Sequence, residues 1–170
     1  IVDVRNPMLP KLLSTEKVLT DPRRMLAQGD VLYIADGPGG VLTLDLTNPD
    51  KPKVLGHIPT AEARSIALSW PWLYIADGPG GLVTADVAQP EAPRALAALD
   101  LNGESSLPND AWDVAVLFQY SRAKAKDETG TALERTKARH LAAIAAGLDG
   151  VRILDVTEDR KSTRLNSSHR

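Results

Sequence analysis

Cysteine is absent from this chain of 170 residues, and no apolar run approaches the length that a membrane-spanning helix needs. Without cysteine there is no disulfide framework and no thiolate metal site, a composition compatible with an exported protein and with a cytosolic one. The formal net charge is −2, but residues 159–170 carry +3, which leaves −5 for residues 1–158. An acidic body argues against a nucleic-acid partner, because nucleic acids are bound by basic patches.

A long internal repeat is present instead. The nine residues Leu-Tyr-Ile-Ala-Asp-Gly-Pro-Gly-Gly occur at 32–40 and again at 73–81, an offset of 41 residues. Each unit has four short apolar stretches separated by Gly, Pro and Asp, a pattern that predicts strands rather than helices. Four antiparallel strands in about 41 residues are typical of a β-propeller blade. The predicted fold is therefore all-β, an incomplete β-propeller of four-stranded antiparallel blades with one short helical insertion.

Four copies of the repeat can be traced along the chain. They predict a half blade at 1–15, blades at 22–58 and 63–101, and a blade at 111–157 with an insertion at about 117–140. The insertion has a local charge of +3, and from Thr131 it predicts a short helix with Glu134 as capping-box partner. This insertion either binds a partner or is a solvated surface segment without a partner. These copies cannot close a ring, so their open edges and uncovered faces predict poor solubility or self-association.

The last residues have a different origin. Residues 159–169 match, without a mismatch, one reading frame of a common short-read sequencing adapter. We therefore predict that residues 159–170 are a non-native, adapter-derived tail, and exclude them from fold reasoning.

Aspartate and glycine recur at the turns of the repeat. Asp36 and Asp77 open the Gly-rich hairpins, where their predicted role is to accept N–H bonds from the turn that follows. For these aspartates to bind a metal ion, several carboxylates would have to converge. The Gly-rich turns are not predicted to bind phosphate, because a phosphate-binding loop opens a helix, whereas a strand follows here. The predicted structural turn residues are Asp36, Gly37, Gly40, Asp77, Gly78, Gly81, Asp45, Asp86 and Asp155.

Charged and aromatic residues recur where the innermost strand of each blade begins. These equivalent positions hold Arg23, Arg64 and Trp112, the last followed by Asp113. In a propeller they would point toward the mouth of the central channel, where arginines could bind an anionic ligand and the indole could stack on it. The alternative is that they pair with Asp36, Asp77 and nearby carboxylates. The loop at 102–110 would lie beside this mouth, either functional or merely solvated.

Catalytic signatures are missing from the sequence. No Ser-His-acid arrangement and no metal-ligand spacing can be drawn, so we predict no catalytic residue, no metal and no cofactor.

Three segments resemble the hallmark of the LVIVD-repeat β-propeller family. They are Ile1-Val2-Asp3-Val4, residues 44–49 and residues 153–157, and the resemblance covers 1–157 outside the insertion. Ala85 and Ala146 depart from the family pattern. The resemblance implies a bacterial or archaeal propeller, often exported, periplasmic or at the cell surface, with no reaction common to the family.

The predicted function is a non-catalytic scaffold for protein–protein or cell-surface interactions. Its partner would be another protein or the remaining blades of the same propeller. The alternative is a small-ligand or enzymatic site at the channel mouth; a third reading is a surface-layer module. Ion pairs among the mouth residues would favour the scaffold, whereas unpaired, convergent charges would favour chemistry.

Overall fold

The computed structural model describes residues 1–101, 110–119 and 139–156, which form four antiparallel sheets. Sheet I contains β1 (Val2–Asp3) and β2 (Lys11–Leu12). Sheet II contains β3 (Arg24–Gln28), β4 (Val31–Ala35), β5 (Val41–Asp45) and β6 (Lys53–Ile58). Sheet III contains β7 (Ser65–Ser69), β8 (Trp72–Ala76), β9 (Leu82–Asp86) and β10 (Arg94–Leu99). Sheet IV contains β11 (Asp113–Gln119), β12 (Arg139–Ala145) and β13 (Val151–Asp155).

Within each sheet, every strand pairs with its neighbour in sequence, so the sheets are simple meanders. The same register recurs: Ala35 lies opposite Val41, Ala76 opposite Leu82 and Ala145 opposite Val151. The turn between these strands requires glycine at its second and last positions, where the backbone has positive φ. The repeated turn chemistry thus fixes the repeated register.

The core lies between the sheets. Alternate residues of β8 face opposite neighbours: Leu73 and Ile75 pack in a cluster with sheet II, whereas Tyr74 and Ala76 pack in a cluster with sheet IV. We call the face of a sheet that is turned toward the next sheet in the chain its forward face. Sheet III is buried on both faces, and burying each large aliphatic side chain contributes roughly 2 kcal/mol to folding.

The sheets stack with their first strands together, since β7 contacts both β3 and β11. Backbone bridges also join the hairpin of one sheet to the start of the next. Gly37 exchanges two N–H···O bonds with Ala63, at 3.0 and 2.8 Å, and Gly78 does the same with Ala111, at 3.1 and 2.8 Å. One interface is therefore built twice from equivalent residues.

These observations confirm the predicted all-β class and the antiparallel sheets. Among the described residues the sheets do not close into a ring, and the single helical element there is a 3₁₀ turn at Gly147–Asp149. That turn occupies the hairpin between β12 and β13. None of the described helical structure could cross a membrane. Most of the predicted insertion, nearly all of the loop at 102–110 and the adapter-like tail lie outside the described residues.

Candidate functional site

The candidate site residues lie at one end of the sheets, which we call the hairpin end. It consists of the turns 36–40, 77–81 and 146–150, together with the segments 20–23, 61–64 and 110–112 that lead into the first strand of each sheet. The stacked sheets bring these segments side by side through the Gly37–Ala63 and Gly78–Ala111 bridges. The predicted mouth residues Arg23, Arg64, Trp112 and Asp113 all lie here or one residue beyond.

Two buried aspartates anchor the incoming segments. Asp36 accepts N–H bonds from Thr20, at 2.8 and 2.9 Å, and from Asp21, at 2.7 Å. Asp77 accepts them from Ala61, at 3.0 Å, and from Glu62, at 2.7 Å. The expected donors were those of the Gly-rich turn, and this detail is corrected: the carboxylates receive N–H groups of the segment about 16 residues upstream.

The space that these carboxylates occupy explains why the fourth residue of each turn is glycine. A Cβ at Gly39 would overlap the carboxylate of Asp36, and a Cβ at Gly80 would overlap that of Asp77. Neither glycine has positive φ, so crowding rather than backbone conformation excludes a side chain there. An aspartate at the first position of the turn therefore requires a glycine at the fourth.

Alternating charges cross the hairpin end in a row, which we call the charged ladder: Asp21, Arg23, Glu62, Arg64 and Asp110. Arg23 pairs with Asp21 and with Glu62, both at 2.8 Å. Arg64 pairs with Glu62 at 2.8 Å and with Asp110 at 2.9 Å. Each arginine therefore joins the acid of its own repeat to the acid of the next, and the ladder connects sheets II, III and IV.

Trp112 packs against the last arginine of the charged ladder. It takes the place that Arg23 and Arg64 hold in the preceding repeats, and the Arg64 guanidinium carbon lies 3.9 Å from the centre of its ring. This is the geometry of a cation–π contact, which gains strength when the cation is removed from water. The Arg64 side chain is only 10% exposed, so the stacking helps to hold the most buried charge of the ladder.

The ladder shifts the ionisation of its members. Hydrogen bonds from Arg64 and then from Arg23 lower the pKa of Glu62 below its ordinary value. Burial alone would lower the pKa of Arg64, but its bonds to Glu62 and Asp110 outweigh that effect and raise the pKa. The hydrogen bonds that Arg23 donates to Asp21 and to Glu62 likewise raise the pKa of Arg23. Glu62, Arg64 and Arg23 are thus stabilised in their charged forms.

Asp113 is engaged with the neighbouring sheet. Its Oδ1 accepts a 2.5 Å bond from Ser65 Oγ and a 2.9 Å bond from the Val114 N–H. It therefore ties the start of β11 to the start of β7.

The aspartates at the other end of the sheets have local roles. Asp45 accepts N–H and Oγ1–H bonds from Thr47, and Asp86 accepts an N–H bond from Ala88. Both are Asx turns that begin the proline-containing connection. Asp155 ends β13 at the equivalent position.

The chemical capacity of the hairpin end is limited in the part of the chain that the structure describes. No group of three His, Asp or Glu side chains there could hold a metal ion. The Nε and Nη1 atoms of Arg64 are buried and have no hydrogen-bond partner. These two unpartnered nitrogens of one guanidinium are the feature of the site that a ligand group could satisfy.

Sequence reasoning found the arginines but missed their partners. Asp21, Glu62 and Asp110 stand two residues before Arg23, Arg64 and Trp112, so a recurring acid–x–Arg pattern was the available signal. Asp36 and Asp77, the suggested partners of the arginines, bind backbone amides instead. His57 Nε2 also lies 2.8 Å from the Gly39 carbonyl oxygen.

The repeats that carry this ladder match a known family model. The model of the LVIVD repeat matches residues 22–60 and 61–96, consecutive segments that contain sheet II and most of sheet III. Comparisons with curated proteins and with solved structures gave no match. The chain therefore contains two consecutive LVIVD repeats, at residues 22–60 and 61–96.

Proposed function

We propose that this chain is a non-catalytic repeat scaffold whose sheets are blades of an incomplete β-propeller. In this proposal 1–15 is a half blade, 22–58 and 63–101 are full blades, and 111–157 is a blade with an insertion at about 117–140. The contacts of β7 with both β3 and β11 support it, because first strands line the axis of a propeller. The scaffold would serve interactions with proteins.

The observation that carries the scaffold role is the internal pairing of the charged ladder. Each of its arginines bridges two acids of successive repeats, and Arg64 also stacks on Trp112. Ion pairs that connect neighbouring sheets in this way stabilise the stacking of the sheets. Side chains held in this way are not free to perform acid–base chemistry on a substrate.

A second candidate function is binding of a small anion at the same end, through Arg23, Arg64, Trp112 and Asp113. It is favoured by the two guanidinium nitrogens of Arg64 that have no hydrogen-bond partner among the described residues, and by Trp112, which is 56% exposed. A carboxylate or phosphate that reached either nitrogen would gain a charge-assisted bond. The ligand would have to displace the present packing around Arg64.

The variant Arg64→Gln distinguishes the scaffold function from the anion-binding function. For the scaffold we expect the free energy of unfolding to fall by about 1–2 kcal/mol, because Glu62 and Asp110 lose a shared partner and Trp112 loses its cation. Urea unfolding followed by tryptophan fluorescence measures the change. Arg94→Gln is the matched control, since Arg94 makes one 3.5 Å pair and is largely exposed; it should leave the stability unchanged.

The same proteins are then titrated with phosphate and with citrate by calorimetry. The scaffold proposal expects no saturable binding by wild type or variant. Saturable binding that Arg64→Gln abolishes, together with an unchanged stability of that variant, would overturn the scaffold role and support the anion site.

A further inference from the structure

We propose that Thr43 and Gly56 of sheet II form a recognition site for a Pro-x-x-Pro connection, and that they thereby determine which sheet can stack on the forward face of sheet II. We call this pair the proline site. Its ligand in the structure is the connection at 88–93, which joins β9 to β10 of sheet III. The inference rests on the proposed scaffold, because it names the residues by which one sheet recognises its neighbour.

The first observation is a hydrogen bond between the two sheets. The Thr43 hydroxyl donates to the carbonyl oxygen of Pro90 at 2.7 Å. Thr43 is fully buried, so without this acceptor its hydroxyl would lose a partner in a place that water does not reach. A buried donor without a partner is destabilising. The bond therefore disfavours any neighbouring sheet that does not present a carbonyl group at this point.

Gly56 provides the space that the connection occupies. It lies directly opposite Thr43 in the sheet, and a Cβ there would overlap Pro93 Cδ and crowd the carbonyl oxygen of Pro90. The φ of Gly56 is not positive, so the reason for glycine is the close approach of the two prolines rather than the backbone conformation. The proline site thus combines one hydrogen-bond donor with one gap in the strand beside it.

The connection is shaped for this site before the sheets meet. The N–H of Ala92 bonds to the carbonyl oxygen of Gln89 at 3.0 Å, which closes a β-turn with Pro90 at its second position. Proline fixes φ at this position. Since the turn uses the carbonyl of Gln89, the carbonyl of Pro90 is available to Thr43. A connection without these prolines would not hold the carbonyl group and the ring in the same places.

An equivalent contact joins sheet I to sheet II. Ser14 Oγ donates to the carbonyl oxygen of Pro49 at 2.8 Å, and Pro49 is the first proline of the equivalent connection. In the alignment of the repeats, Ile1 and Ser14 take the places of Thr43 and Gly56. The hydroxyl comes from the other strand of the same pair, yet it binds the carbonyl of the equivalent proline. Binding of this carbonyl is therefore a recurring element of sheet recognition.

Sheet III has only half of the proline site. Thr84 is equivalent to Thr43, but Ala97 lies opposite it, and its hydroxyl bonds at 3.4 Å to the Ala97 carbonyl of its own sheet. A second proline pressed against this strand fits sheet II but not sheet III. The apolar clusters on the two faces of sheet III are alike in composition, and apolar contacts have no direction. The proline site is thus where sheets with similar cores differ.

The test follows urea unfolding of the full chain with two probes. All three tryptophans lie outside sheet II, at Trp70, Trp72 and Trp112. Fluorescence therefore reports on sheets III and IV, whereas far-UV circular dichroism reports on all sheets. In wild type the two transitions should coincide. Gly56→Ala should separate them, with a circular dichroism midpoint about 0.5 M or more below the fluorescence midpoint, because sheet II loses its hold on sheet III.

Rescue by a second substitution is the decisive step. Pro93→Ala removes the ring that the new side chain of Gly56→Ala would overlap, so the double variant should regain about half of the lost midpoint. Pro52→Ala is the matched control, because Pro52 is the equivalent proline of sheet II's own connection and is not among the atoms nearest Gly56. It should give no rescue.

The hydroxyl group is tested separately. Thr43→Val keeps the shape of the side chain and removes the donor, so the two transitions should separate by a smaller shift than in Gly56→Ala. Thr43→Ser keeps the hydroxyl and should retain coincident transitions. Thr84→Val is the matched control, since the Thr84 hydroxyl bonds within its own sheet, and it should also retain them. The Thr43 variants carry the test alone if Gly56→Ala does not fold.

The results that would overturn the proposal differ from those that overturn the scaffold role. The proline site is refuted by a wild type whose transitions do not coincide, by coincident transitions in Thr43→Val, by equal rescue from Pro52→Ala, or by an equal shift in Thr84→Val. The Arg64→Gln measurement concerns the hairpin end, at the opposite end of the sheets. Its expected result together with coincident transitions in Thr43→Val would refute the proline site alone.

Discussion

The two LVIVD repeats and the third hairpin make the same turn with different residues. In the repeats the turn begins with Asp36 or Asp77, whereas the third begins with Ala146. Its glycines nevertheless keep the same backbone: φ is 54°, 53° and 56° at the second position, and 72°, 75° and 77° at the last. The N–H of the first residue bonds to the last carbonyl in all three, at 2.8, 2.8 and 2.7 Å.

This comparison distinguishes formation of the turn from the binding of the incoming segment, two roles that the first residues of the repeat turns could both have served. Since the third turn forms without the aspartate, the carboxylate is not needed for the turn. It holds the incoming segment instead, through the N–H groups of residues 20–21 and 61–62. Asp149 stands where the repeats require Gly39 and Gly80, and the absence of a carboxylate at Ala146 leaves space for it.

The largest effect is expected where a glycine of the turn also touches the next strand. At Gly81 the φ is positive and a Cβ would overlap the carbonyl oxygen of Leu99. Gly81→Ala should therefore lower the free energy of unfolding by about 3 kcal/mol or more. Gly150→Ala has the same φ but no atom within 4 Å of the added Cβ, so it should cost only about 1 kcal/mol. Equal losses in urea unfolding would contradict this account.

A smaller effect is expected from removing the anchor. Asp77→Ala leaves two N–H groups without their acceptor, and should lower the free energy of unfolding by about 2 kcal/mol. Gly80→Ala should be destabilising in wild type but nearly neutral in the Asp77→Ala background, since the overlapping carboxylate is gone. A double-mutant cycle measures this coupling. Additive effects would show that the aspartate and the glycine are independent.

The smallest effect concerns pH. The pKa of Glu62 is lowered in the folded chain, first by the hydrogen bond from Arg64 and then by that from Arg23. Its contribution to stability is therefore present above the unfolded pKa, near the ordinary 4.5, and is lost as pH falls through the lower folded value. Glu62→Gln should flatten the fall in Tm on acidification. Glu91→Gln, at an exposed residue, should keep the wild-type profile, and identical profiles for all three proteins would refute the ladder's role.

The strands and turns could be predicted from the sequence because their causes are local. The 41-residue repeat, the alternation of apolar residues and the glycines at two turn positions all act over a few neighbouring residues. For that reason sheet III has the four antiparallel strands that the repeat unit predicts. The partners of Asp77 were not predicted because they lie 15 and 16 residues away along the chain, and Asp110 was not linked to Arg64 because it lies 46 residues away.

The sequence by itself determined the repeat, the antiparallel strands and the turns. Only the tertiary structure decided which groups of a neighbouring segment the charges of the hairpin end bind. Stacking brought the start of one sheet against the hairpin of the sheet before it, so Asp36 and Asp77 became anchors for backbone amides while the arginines joined a ladder of acids. It also decided that Val41 is buried while the equivalent Val151 is exposed. Nothing in a local segment specifies whether another sheet covers it, because burial is a property of the neighbours that folding supplies.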